Sequence, residues 1–139
     1  MHEATFEEGL DLIVSKDSRY QREAYVFLRE ALDHTQKTIV KENRGEMRHV
    51  SGQELLAGIR EYALGQFGPM AKMILEEWGI RSCHDFGEIV FNMVEVGLLA
   101  KTEKDTREDF KDGYDFEDAF RKPFLPKNRL KQEVKPIVS

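Results

Sequence analysis

Between Tyr20 and Glu42 the apolar side chains return every three or four positions: Ala24, Phe27, Leu28, Ala31, Leu32, Thr35 and Ile39 share one side, and charges occupy the other. That period matches 3.6 residues per turn and excludes a strand, whose side chains alternate every two. The same spacing recurs along the chain. Phe6, Leu10, Ile13 and Val14 predict a helix from Glu3 to Ser15. Leu55, Leu56, Ile59, Tyr62, Ala63 and Phe67 predict another, and Phe86, Ile89, Val90, Met93 and Val94 a further one. The fold class expected is therefore mainly α.

Punctuation agrees with the periodicity. Ser51 followed by Glu54 forms a capping box, and Ser82 followed by Asp85 is a variant of it. Gly45, Gly79 and Gly97 stand where helices stop, and Gly68-Pro69 ends one helix and begins the next. Met70, Met73, Ile74 and Trp78 then read as the buried stripe of a short helix, with Met93 in the same core.

After residue 97 the helical period fades. Leu98 to Thr102 reads as a strand, Asp112-Gly113 as a turn, and Tyr114 and Phe116 alternate as strand residues. Phe116 and Phe120 also stand four apart, so Tyr114 to Phe120 is open to either strand or helix. Arg48-His49-Val50 reads as one short strand. The order small strand, helices, then strand–turn–strand resembles a winged-helix core over 48–120, carried by Phe86 to Leu99 with its Gly97-Leu98-Leu99 exit. The expectation is a helical domain over 1–120 with extra N-terminal helices at 3–15 and 20–42 and an antiparallel hairpin within about 98–120. A basic, proline-containing tail is expected over 121–139.

A second resemblance covers more of the chain. His49-Val50-Ser51-Gly52-Gln53-Glu54-Leu55-Leu56, Gln66-Phe67-Gly68-Pro69-Met70-Ala71, Glu76-Glu77-Trp78-Gly79-Ile80, Gly113-Tyr114-Asp115-Phe116 and Pro123-Phe124-Leu125 resemble a family of short uncharacterised bacterial proteins. That resemblance implies a bacterial cytoplasmic protein and carries no activity with it.

Composition bounds the function classes. A single cysteine, Cys83, excludes an internal disulfide and cysteine-rich zinc sites. The first residues have neither a basic nor an apolar region, so no secretory signal is expected. No apolar run approaches the roughly 18 residues of a membrane helix. A cytoplasmic location is the expectation.

The net charge is −5 and is unevenly placed. The body is acidic, while Arg121, Lys122, Lys127, Arg129, Lys131 and Lys135 face a single acid, Glu133, in the tail. Those six cations are the candidate contacts for nucleic acid. The predicted helix Ser82–Gly97 carries Asp85, Glu88 and Glu95 and no Lys or Arg, which suits protein contacts better than phosphates.

Catalytic patterns are missing from the sequence. It holds no phosphate-binding glycine loop, no nucleophile elbow and no metalloprotease helix. Cys83 and His84 are adjacent, so on a helix they diverge by about 100° and cannot grip one ion together. Asp105, Glu108, Asp109 and Asp112 miss the alternating pattern of a calcium loop. His34 and His49 read as structural or solvent-facing. No cofactor or metal is expected, and the protein is expected not to be an enzyme. The expected partner is another protein. Trp78, Tyr114, Phe116, Phe120 and Phe124 are its candidate contacts, with a fold-back of the 114–124 aromatics onto the helices as the competing reading.

Overall fold

A computed structural model describes residues 5–46 and 48–126. It is mainly helical. Five α-helices follow in order: α1 (Phe6–Lys16), α2 (Arg22–Glu42), α3 (Gly52–Phe67), α4 (Ala71–Glu77) and α5 (Cys83–Glu95). Short 3-10 turns at Gly68–Met70, Arg107–Phe110 and Lys122–Phe124 and a π-helical turn at Glu117–Arg121 complete the helical elements among the described residues.

The helices begin where side chains satisfy their first N–H groups. Ser51 Oγ accepts from the Glu54 N–H at 3.1 Å, and the Glu54 carboxylate accepts from the Ser51 N–H at 3.0 Å. Thr5 and Glu8 form the same box ahead of α1. Before α5, Asp85 accepts from the N–H groups of both Arg81 and Ser82. At the other ends, Gly79 has φ +96° and Gly97 φ +82°, the left-handed conformation that lets the following N–H reach back. The Ile80 N–H bonds the Leu75 carbonyl at 2.9 Å, and the Leu98 N–H bonds the Met93 carbonyl at 2.8 Å.

Helices α2 and α3 make the most extensive helix pair, with α1 and α5 packed on α2. Leu10, Leu28, Ile59, Phe86 and Ile89 of these helices, with Leu75 of α4, are almost wholly buried. Burial of this kind stabilises by about 25 cal/mol per Å² of apolar area and outweighs the local propensity of any single element.

The expected hairpin is absent. No strand occurs among the described residues, which include all of 98–120 and Arg48-His49-Val50, so the winged-helix-like core is overturned and a helical bundle replaces it. The physical reason lies in the side chains of the segment. Asp105 accepts from the Thr102 N–H at 2.7 Å, and Asp109 accepts from the Thr106 N–H at 3.0 Å. Side chains that satisfy the backbone locally compete with a strand ladder for the same donors. Anchoring then decides the rest. Phe110, Phe116 and Phe120 are buried, and Phe116 and Phe120 stack edge to face at 4.9 Å on one helical turn. The i,i+4 spacing of that pair prevails over the Tyr114/Phe116 alternation.

Two smaller expectations also change. Met70 and Met73 are about half exposed; Ala71 and Leu75 form the buried stripe of α4 instead. The segment expected to open the tail is turned: Arg121 closes the π-helical turn and Lys122–Phe124 forms a 3-10 turn.

Candidate functional site

A cavity of about 260 Å³ opens where α2, the start of α3, the end of α5 and the 99–110 loop meet. Its apolar walls come from Leu32, Leu55, Val90, Phe91, Val94 and Leu99. Leu32 lies on the inward stripe of α2, Leu55 on that of α3, and Val90, Phe91 and Val94 belong to α5. Phe110, held at 3% exposure, closes part of the floor.

The mouth is polar. His49 Nε2 lies 2.6 Å from Asp105 Oδ2 and joins the approach to α3 to the late loop. Asp105 also accepts from the Thr102 N–H at 2.7 Å and from the Thr102 hydroxyl at 3.2 Å. Partial burial pushes the Asp105 carboxyl up. The hydrogen bonds from Thr102 and His49 oppose it and together leave the carboxyl below its ordinary value. Asp109, Lys101 and Gln36 complete the rim. The Gln36 amide and the Lys101 ammonium have no intramolecular partner among the described residues.

His34 and His84 stand apart from this mouth. His34 Nε2 meets Glu61 at 3.0 Å on the outer side of the α2–α3 pair, beside a separate, shallower hollow. His84 is exposed at the start of α5. Cys83 is buried, and burial pushes its thiol up to about 11, against weaker lowering by its contacts with Tyr114. Among the described residues no group of three or more His, Cys, Asp or Glu is placed to hold a metal ion.

A second charged constellation braces the bundle at its edge. Arg19 bonds Asp17 at 2.7 Å and Glu88 at 3.2 Å, and Arg107 reaches the same Glu88 at 2.9 Å. Asn92 donates to both Asp17 and the Tyr25 hydroxyl. The Arg19 guanidinium is the main cause holding the Asp17 carboxyl well below the usual carboxylate range. Every group in this network is used inside the protein, so it reads as a clamp between α5, the α1–α2 link and the late loop.

The residues expected to meet a protein partner are placed differently from one another. Phe116 and Phe120 are buried, at 4% and 0% exposure, so the folded chain does not offer them. Tyr114 is half-buried and donates its hydroxyl to the Leu56 carbonyl at 2.8 Å. Trp78 is half-buried against Phe27 and Phe67, each with ring centres 5.7 Å away. Phe124 remains exposed. Fold-back onto the helices is thus the arrangement of Tyr114, Phe116 and Phe120.

Among the candidate nucleic-acid contacts, Arg121 pairs with Glu117 at 3.1 Å and Lys122 with Asp118 at 2.7 Å. Lys127, Arg129, Lys131 and Lys135 lie outside the described residues. No helix among the described residues is long and apolar enough to cross a membrane.

Sequence reasoning missed the mouth of the cavity. His49 and Asp105 are 56 positions apart, and no periodicity relates them. Gln36 carried a signal: it stands one turn beyond Leu32 on the same side of α2.

No family model matches the chain, and neither a curated protein nor a solved structure matches it significantly.

Proposed function

We propose that this chain is a non-enzymatic binding or regulatory module whose recognition element is the cavity between α2, α3, α5 and the 99–110 loop. The observation that carries the reading is the cavity itself: an apolar chamber of about 260 Å³ with a polar mouth, formed by α2, α3, α5 and the 99–110 loop. Ligand sites are generally concave, largely apolar and equipped with a few polar groups that orient what enters. The separate surroundings of His34 and His49 and the raised Cys83 thiol support a binding role over a catalytic one. The test is an NMR titration of the ¹⁵N-labelled full chain with a library of apolar fragments. Shifts concentrated at Gly52, Val90, Val94 and Leu99 are expected. A library that leaves all four amides unmoved would refute the proposal.

A protein partner, as expected from the sequence, is favoured by a separate observation. Met70, Met73, Phe124 and Leu125 are large apolar side chains left between 42% and 56% exposed. Solvent-facing methionines adapt to varied surfaces at little cost. Crosslinking from photoreactive groups at positions 73 and 124, against the same group at position 37, an exposed charged position on α2, tests this. Equal capture from all three positions counts against a specific surface.

A further inference from the structure

We infer that the cavity takes a small uncharged organic molecule, with a compact apolar body and one hydrogen-bonding group that pairs with Gln36. This rests on the binding-module reading and specifies the ligand of that same site.

Size sets the first limit. An apolar cavity of about 150 Å³ holds one benzene ring. The 260 Å³ here accommodates a ring with a short polar arm, on the order of ten non-hydrogen atoms. The walls, Leu32, Leu55, Val90 and Leu99 among them, offer no polar atom from their side chains.

Charge sets the second limit. Two acids stand at the mouth, and both already have donors. Asp105 has Thr102 and His49, and Asp109 has the Thr106 N–H. An anionic ligand would meet two carboxylates on entry. The nearby ammonium, Lys101, is exposed to water and attracts only weakly. A cationic ligand would find both acids engaged and would leave its own hydration for an apolar wall. The mouth therefore repels an anion, and the apolar walls disfavour a cation, which must shed its hydration to reach them.

Gln36 supplies the remaining recognition. It is half-buried on α2, lines the cavity, and its amide has no partner among the described residues. A primary amide is both donor and acceptor, so it pairs with an amide, a carbonyl or a hydroxyl without requiring charge.

Three probes sharing one phenyl ring and a short arm separate the possibilities: phenylacetamide, phenylacetate and 2-phenylethylamine. Each is titrated into the ¹⁵N-labelled full chain at pH 7. We expect phenylacetamide to shift the amides of Gly52, Val90 and Leu99 with a Kd of about 1 mM, a usual figure for a ligand of this size. The anion and the cation are expected to bind at least about tenfold more weakly, because each must shed more of its hydration. Gln36→Leu should weaken phenylacetamide about fivefold, the loss of one ordinary hydrogen bond. Val94→Trp should abolish binding by filling the chamber. Should Val94→Trp not fold, Gln36→Leu at the solvent-facing rim decides the matter. Binding of phenylacetate or 2-phenylethylamine as tight as the amide, with the same amides shifted, overturns the uncharged-ligand inference and leaves the binding module standing. No shift with any probe overturns the inference, and the fragment library then decides the binding module separately. Unchanged affinity in Gln36→Leu overturns the assigned role of Gln36.

Discussion

Gly58→Ala tests the packing of the helix pair on which one wall of the cavity depends. Alanine in the interior of a helix gains about 1 kcal/mol over glycine, so local propensity favours the change. Packing opposes it. A Cβ at position 58 of α3 would stand 1.8 Å from Thr35 Oγ1, 2.8 Å from Thr35 Cβ and 3.0 Å from Thr35 Cγ2 on α2. Rotating Thr35 about χ1 does not help, because its Cβ stays in place. To bring the 2.8 Å separation to the 3.4 Å of ordinary contact, the helices must part by at least about 0.6 Å. A gap of that size forfeits about a quarter to a half of the attraction across the seam. Thr35 is buried and bonds the Ala31 carbonyl at 2.7 Å, which holds it in the path. Overpacking costs up to about 3 kcal/mol. Against the propensity gain of about 1 kcal/mol, the net destabilisation expected is about 2 kcal/mol. Urea unfolding followed by circular dichroism measures it. Gly65→Ala on the same helix is the control: nothing lies within 4 Å of its Cβ, so it should stabilise by about 0.5–1 kcal/mol. Thr35→Ala removes Oγ1 and Cγ2 but keeps Cβ, so it should rescue Gly58→Ala only in part. If Gly58→Ala stabilises as much as Gly65→Ala, the close approach of α2 and α3 is refuted.

Other perturbations probe different links. Glu54 is held down to about 2, first by the Arg48 ion pair and then by the Ser51 N–H. Its folded value lies below its ordinary one, so its stabilisation is present above about pH 4.5 and is lost as pH falls toward 2. Glu54→Gln should therefore flatten the decline in unfolding free energy between pH 5 and pH 2 (roughly the acid limb), and an unchanged decline would refute that assignment. Cys83 should react with a thiol reagent at pH 8 (about three units below its raised value of about 11) only after unfolding; equal rates in buffer and in urea would show the thiol to be accessible. Gly97→Ala should cost about 1–2 kcal/mol for its left-handed backbone alone. Gly79→Ala should cost more, because its Cβ would also fall 2.3 Å from the Arg19 carbonyl oxygen; equal losses in thermal unfolding would argue against that contact.

Much of the helical framework was legible in the residues, because its causes are local. A stripe such as Ala24, Phe27, Leu28, Ala31 fits one period only. The Ser51–Glu54 and Ser82–Asp85 starts and the Gly79 and Gly97 stops act within one turn of chain. The stretch after Gly97 was not legible, because its local signals conflict. Tyr114 and Phe116 alternate like a strand while Phe116 and Phe120 repeat like a helix. The choice came from elsewhere: Phe86 on α5 receives the Phe116 ring at 5.5 Å, and Leu56 on α3 accepts the Tyr114 hydroxyl. The short helix α4 shows the same limit. Met70/Met73 and Ala71/Leu75 both lie at helical spacing, and only the neighbouring helices decide which set is covered. The candidate site depends most on tertiary structure. Gln36, His49, Val94 and Asp105 come from four separate stretches and share a cavity only because α2, the start of α3, α5 and the late loop pack together there. Sequence periodicity states which face of a helix turns inward; how well the inward faces fill the space between them is a property of the packed bundle alone.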